Sequence, residues 1–186
     1  MYDGSLDENF FQNPKNLWNN FRKIILGPKV PKNYVQWFYW INTIICTLFL
    51  GWHILGFLAV SFRSIIFEKK KIAVDEIITE YAKNSAFTVK EFILSLQLHH
   101  ALSSFIWIIL LFVMVLFWRR KRWIFIYALF ALLVYFLQGI FIFGWRFITQ
   151  ELTLFDWISL CVFISLITID AGFNLYLNKE SEKENV

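Results

Sequence analysis

The chain carries three histidines and two cysteines, and the histidines are the residues best spaced for chemistry. His53 lies as far beyond Val35 as His100 lies before Trp118, 18 residues in each case. If Val35 and Trp118 mark one boundary of two successive apolar helices, the two imidazoles stand at one height. Facing imidazoles at one height are what a membrane b-type haem uses as axial ligands. Haem b on His53 and His100 is therefore the one cofactor the spacing offers, and otherwise none is expected. A structural role competes with it, because a buried histidine usually bonds a neighbouring hydroxyl or carbonyl, and Ser103 and Ser104 are close by. Few glycines besides Gly51 and Gly56 would leave a slot for a flat macrocycle. A second helix that started only at His99 would put both of its histidines at the bilayer surface. Cys46 and Cys161 are isolated, with no Cys-x-x-Cys, so neither dithiol exchange nor a metal site is expected. There is no Ser-His-Asp spacing, no His-Glu-x-x-His and no pair of carboxylates. The chain is thus expected not to be an enzyme.

The remaining polar residues inside apolar stretches are few, and such groups face protein or water rather than lipid. Asn42, Cys46, Phe49, His53, Gly56, Val60 and Arg63 recur at steps of four and three, placing Asn42, His53 and Arg63 on one helix side. A carboxylate at a helix centre in lipid costs roughly 2.5–3.5 kcal/mol, and Asp170 is the one acidic residue well inside a span. Asp170 and Asn42 lie equally far from their expected span ends and are predicted to hydrogen-bond, either as packing glue or as an ion or proton station. Asn174 lies one turn beyond Asp170, and Gln138, with Tyr127, Tyr135 and Gly139, belongs to the possible inner faces of a third span. Cys161, Ser165, Thr168 and Gly172 form a stripe of small residues expected to seat a neighbouring helix. Arg146, Glu151 and Asp156 are expected to form a surface ion-pair group.

Composition states what must position these groups. Of 186 residues, 58% are hydrophobic and 17% charged, with 20% aromatic; an ordinary soluble domain has roughly 45–50% apolar and ~25% charged residues. The mean hydropathy is +0.54. These values exclude a disordered chain, a disulfide scaffold and a plain soluble enzyme. About 20 apolar residues span the ~30 Å hydrocarbon core as a helix, and four stretches qualify: 35–62, 99–118, 123–145 and 154–177. The second could begin as early as Phe92. Trp37, Tyr39, Trp40, Trp118, Trp123, Trp145 and Trp157 stand near their ends, where aromatic rings favour the headgroup layer. The expected fold is all-α, a four-helix transmembrane bundle over 35–177.

Residues 1–34 lack a cleavable leader and are expected to hold an amphipathic helix over 14–26, capped by Asn13 and ended by Gly27-Pro28. It carries Leu17, Trp18, Phe21, Ile24 and Ile25 on one face, with Lys15, Arg22 and Lys23 available to lipid headgroups. The loop 63–98 has a helical stripe at Val74, Ile77, Ile78 and Tyr81, followed by a capping box at Thr88-Val89-Lys90-Glu91. So short a loop cannot bury a core alone, so its stripe must rest on the bundle or on another protein. Residues 178–186 read as a flexible tail.

Eleven Lys and Arg residues fall on the side of the termini and of the Arg119-Arg120-Lys121-Arg122 hairpin, against seven on the other. That predicts cytoplasmic termini, with the hairpin touching headgroups, in a bacterial inner (cytoplasmic) membrane. The combined expectation is a non-catalytic membrane anchor, scaffold or complex subunit. Its partners would be the bilayer and other membrane subunits or further copies of itself, and no nucleic acid. The alternatives are a small oligomeric channel or transporter using Asp170, Asn42 and His53, or the haem-binding electron-transfer subunit.

Overall fold

The structure, a computed structural model, describes residues 14–28, 30–63, 74–84, 87–119 and 123–183. Six α-helices run through them: α1 (Pro14–Leu26), α2 (Asn33–Ser61), α3 (Val74–Asn84), α4 (Val89–Trp118), α5 (Ile124–Phe143) and α6 (Leu154–Lys183). A π-helical turn, Phe147–Glu151, joins the last two. No strand occurs among the described residues. Four helices, α2, α4, α5 and the Leu154–Gly172 part of α6, are long and apolar enough to cross a bilayer, consistent with an integral membrane protein.

Two boundaries differ from expectation, each for a local reason. Of the two starts expected for the second span, the earlier is the nearer, because helix α4 starts at Val89, ten residues before His99. There the Thr88 hydroxyl accepts from the Glu91 amide at 3.3 Å, and the Glu91 carboxylate accepts from the Thr88 amide at 2.9 Å. This reciprocal cap satisfies donors that a helix start leaves orphaned. It also moves His99 and His100 about 15 Å into the helix, at 1.5 Å per residue. At the other end, α6 continues as helix to Lys183, past the 178 boundary expected for the tail. Helix α5 stops at Phe143 because Gly144 takes φ +69°, a left-handed conformation that side chains disfavour.

The interface of α2 with α4 is the most extensive, α4 packs next most closely on α5, and α6 lies against both α2 and α5. Phe49 stacks on Trp107 with ring centroids 4.4 Å apart, in a core that also buries Cys46, Leu110, Met114, Tyr135 and Phe163. The outer surface is as apolar as the core. Trp52, Leu55, Phe105, Phe112 and Phe130 are all mostly exposed at mid-helix, and Phe141 is 92% exposed. Each such side chain in water forgoes roughly 1.5–3 kcal/mol of burial, whereas acyl chains solvate it.

The two amphipathic helices both touch α4, and each leaves apolar residues of its expected face exposed, Ile24 and Ile25 on α1 and Tyr81 on α3. Helix α3 lies against α4. It buries Ala82 there and leaves Tyr81 of the expected stripe exposed. Helix α1 ends at Gly27, whose φ of +93° lets its amide bond back to the Lys23 carbonyl. The Arg119 guanidinium then donates to the carbonyls of Ile24 at 3.3 Å and Ile25 at 2.7 Å. A cation at a helix C-terminus is favourable there. Arg119 therefore contacts protein at this point, while Arg120, Lys121 and Arg122 lie outside the described residues, as does the Lys15 side chain. Because these bonds are solvent-exposed, Arg119→Ala is expected to loosen α1 by about 1 kcal/mol. Amide hydrogen exchange over residues 14–26 should rise about fivefold, with the spans unchanged.

Candidate metal centre

The described structure brings all three histidines together. One nitrogen from each of His53, His99 and His100 lies within 4.8 Å of the others. The imidazole centroids form a near-equilateral triangle with sides of 5.4, 5.4 and 5.5 Å. His53 comes from α2, eight residues before its end, and the His99–His100 pair from α4, ten residues after its start. The cluster thus sits about 12–15 Å from those helix ends. His53 Nδ1 and His100 Nδ1 are 3.1 Å apart, so in neutral rings one must donate to the other.

Two absent side chains make the convergence possible. A Cβ on Gly56 would stand 2.5–2.8 Å from three atoms of the His100 ring, so His100 reaches α2 only because that position is glycine. On the far side a Cβ at Gly139 would overlap the Phe147 ring. Phe147 belongs to the π-helical turn, is 1% exposed, and turns back into the bundle with its centroid 5.2 Å from that of His99. It caps the cluster on the side of the α5–α6 loop.

Hydrogen bonds from α5 orient two of the three rings. The Tyr135 hydroxyl lies 3.4 Å from His53 Nε2. Gln138 Nε2 lies 2.7 Å from His99 Nδ1 and 2.9 Å from the Ser103 hydroxyl, and Gln138 Oε1 has no partner. Amide oxygen and nitrogen are interchangeable in shape. With the oxygen turned toward His99, it accepts from His99 Nδ1–H and from the Ser103 hydroxyl together. That choice leaves His99 Nε2 as the free lone pair. Likewise a proton on His53 Nε2 donates to Tyr135 and leaves Nδ1 free. Such outer partners fix the tautomer and orientation of metal-bound histidines.

A cavity of about 60 Å³ adjoins the cluster. A water needs roughly 10–15 Å³ of such a cavity, so there is room for several. Its lining includes the three histidines, Tyr135, Trp52 and Asp156, with Phe143 and Phe147 beside them. Of the expected Arg146, Glu151 and Asp156 group, the Glu151 side chain lies outside the described residues, and Asp156 pairs with no cation among them. Its Oδ2 accepts from the Thr153 amide at 2.8 Å and hydroxyl at 2.7 Å, and its own amide bonds Thr153 Oγ1, which caps α6.

Several expectations change. His53 and His100 do meet at one height, but their nitrogens are in contact. Ligands on opposite faces of a metal stand ~4 Å apart, at ~2 Å per bond, and a macrocycle between them needs a slot that the Gly56–His100 contact closes. As these rings stand, no gap for a macrocycle separates the two nitrogens. The predicted Asn42–Asp170 bond is also absent: Asn42 is fully buried, and neither atom of its amide has a hydrogen-bond partner. Asp170 is itself buried, and the Asn174 side chain lies outside the described residues. Cys161, Ser165, Thr168 and Gly172 are all exposed, so they seat none of the described helices. Sequence reasoning missed His99, Phe147 and Asp156. The signal for His99 was the capping box, which fixes where the helix begins.

No family model, curated protein or solved structure matches the chain.

Gly139→Ala is expected to destabilise the protein by about 1–3 kcal/mol through overpacking against Phe147. Adding Phe147→Ala should remove most of that increment. A double-mutant cycle on unfolding in detergent reads the coupling.

Proposed function

We propose that this chain is a membrane metalloprotein that binds one Zn²⁺ on His53, His99 and His100, with a fourth coordination position open to the adjoining cavity. The observation that carries this reading is the approach of three imidazole nitrogens, from two helices, to within 4.8 Å of one another. Tetrahedral Zn–N bonds of ~2.0–2.1 Å put ligand nitrogens ~3.3 Å apart, a spacing that small ring rotations reach from this arrangement. Imidazole suits Zn²⁺, Cu²⁺, Fe²⁺ and Ni²⁺. Three nitrogen ligands plus an open position is the pattern of catalytic zinc, and the outer bonds from Tyr135 and Gln138 suit bound rings.

The anchor or scaffold reading rested on amphipathic segments in want of a support. Helices α1 and α3 both touch α4 yet leave Ile24, Ile25 and Tyr81 exposed, and the histidines supply the more specific chemistry. The Lys and Arg distribution supports cytoplasmic termini; a bacterial inner membrane, with Lys15, Arg22, Lys23 and the 119–122 hairpin near headgroups, remains part of the proposal. The metal then sits in the outer half of the bilayer.

Purified protein dialysed against micromolar Zn²⁺ is expected to retain about one ion per chain by elemental analysis. His53→Ala, His99→Ala and His100→Ala should each abolish retention. Gly56→Ala keeps every ligand yet displaces His100, and should weaken binding by at least ~10-fold, as loss of a second-shell partner does. Equal zinc in the wild type and in a variant lacking all three histidines would refute the reading.

A further inference from the structure

The zinc reading leaves unexplained why a carboxylate and a phenol share the cavity beside the histidines. We infer that the centre hydrolyses an acyl ester whose body lies in the bilayer, with Asp156 as the general base; this inference rests on the zinc reading.

Three observations lead there. The first is the cavity itself. Its volume of about 60 Å³ admits a metal-bound water and a reacting carbonyl. The second is its wall, which includes Trp52, 68% exposed at mid-helix on α2. Leu96, half-buried on α4, also lines it. The cavity thus borders the surface that acyl chains cover, and a substrate can present its carbonyl there while its chains stay in lipid. The third is the pair of polar groups. Asp156 is held through Oδ2 by Thr153, and among the described residues its Oδ1 has no hydrogen-bond partner. Tyr135 accepts from His53 Nε2–H when Nδ1 binds metal, which leaves its own hydroxyl proton to donate.

These groups supply a balanced reaction. Zn²⁺ lowers the acidity threshold of its bound water so that hydroxide forms near neutral pH. The Asp156 carboxylate takes the released proton. The hydroxide oxygen bonds to the carbonyl carbon, and the π electrons move to the carbonyl oxygen, where Zn²⁺ and the Tyr135 hydroxyl stabilise the charge. The bond from carbon to the alcohol oxygen then breaks, and the departing alkoxide takes the proton from Asp156. The products are a carboxylic acid and an alcohol. Water is the one co-reactant, and nothing is oxidised or reduced.

The test uses the full chain in phosphatidylcholine vesicles containing a phospholipid with a fluorogenic acyl ester, with zinc content measured on the same sample. Zinc-loaded protein is expected to release the fluorophore, to stop with 1,10-phenanthroline and to resume when Zn²⁺ is restored. Asp156→Asn, which can still cap α6, should keep about one zinc per chain and lose 10²–10⁴-fold in rate. A water-soluble ester of the same fluorophore should be a poor substrate. Zinc bound with no turnover, or turnover equal in Asp156→Asn, overturns the hydrolytic inference alone. Turnover of the soluble ester only overturns the bilayer substrate. A chain that binds no zinc overturns the reading beneath it.

Discussion

Hydrocarbon cannot hydrate an imidazole, and that constraint shapes the centre of this bundle. A buried polar group without a partner costs several kcal/mol in an apolar medium. Three such rings in the interior must therefore satisfy one another or be satisfied by neighbours. The protein does both. His53 and His100 meet nitrogen to nitrogen, Tyr135 reaches His53, and Gln138 reaches His99 and Ser103. Once Tyr135 and Gln138 accept protons from the outer nitrogens of His53 and His99, two inner lone pairs face the His100 ring, whose Nδ1–H can donate to His53 Nδ1 at 3.1 Å. Under the zinc reading the ion takes the place of that proton and draws the third ring, His99, into the same contact.

Backbone proximity rather than side-chain bulk brings the ligands together. Trp, Phe and Leu crowd every other level of the helices, yet at the level of the histidines α2 presents Gly56 and α5 presents Gly139. The first admits the His100 ring against the α2 backbone, and the second admits Phe147 from the returning π-helical turn. Close approach of helices through small residues is the usual packing device in lipid, where apolar burial drives little association. Here it is spent on a functional ring and on the aromatic that covers it. The aromatic shell continues outward through Phe49 and Trp107, which stack, and Tyr135, whose edge meets Trp107.

The architecture was legible in the sequence because apolar length is a strong signal: all four spans lie where runs of hydrophobic residues place them. The shared height of His53 and His100 was legible too, from their equal distances to Val35 and Trp118. The third ligand was not singled out, although the capping box at Thr88 and Glu91, itself legible, starts α4 ten residues before His99; that His99 turns toward His53 depends on how the helices rotate against one another. Residues far apart in the chain meet through rotations of whole helices that periodicity does not determine, and so Asn42 and Asp170, equal in depth, do not bond. Asp156 and Phe147 reach the site through a loop whose path depends on Gly144 and on an irregular turn, and such local geometry leaves little trace in hydropathy.

X-ray absorption at the zinc edge of the loaded protein tests the central claim most directly, since it reads the atoms bound to the ion. The account predicts a low-coordinate shell of nitrogen and oxygen at about 2.0 Å, with the outer scattering of about three imidazoles and no sulfur. A six-oxygen shell without imidazole scattering, or a sulfur shell at about 2.3 Å, would contradict it.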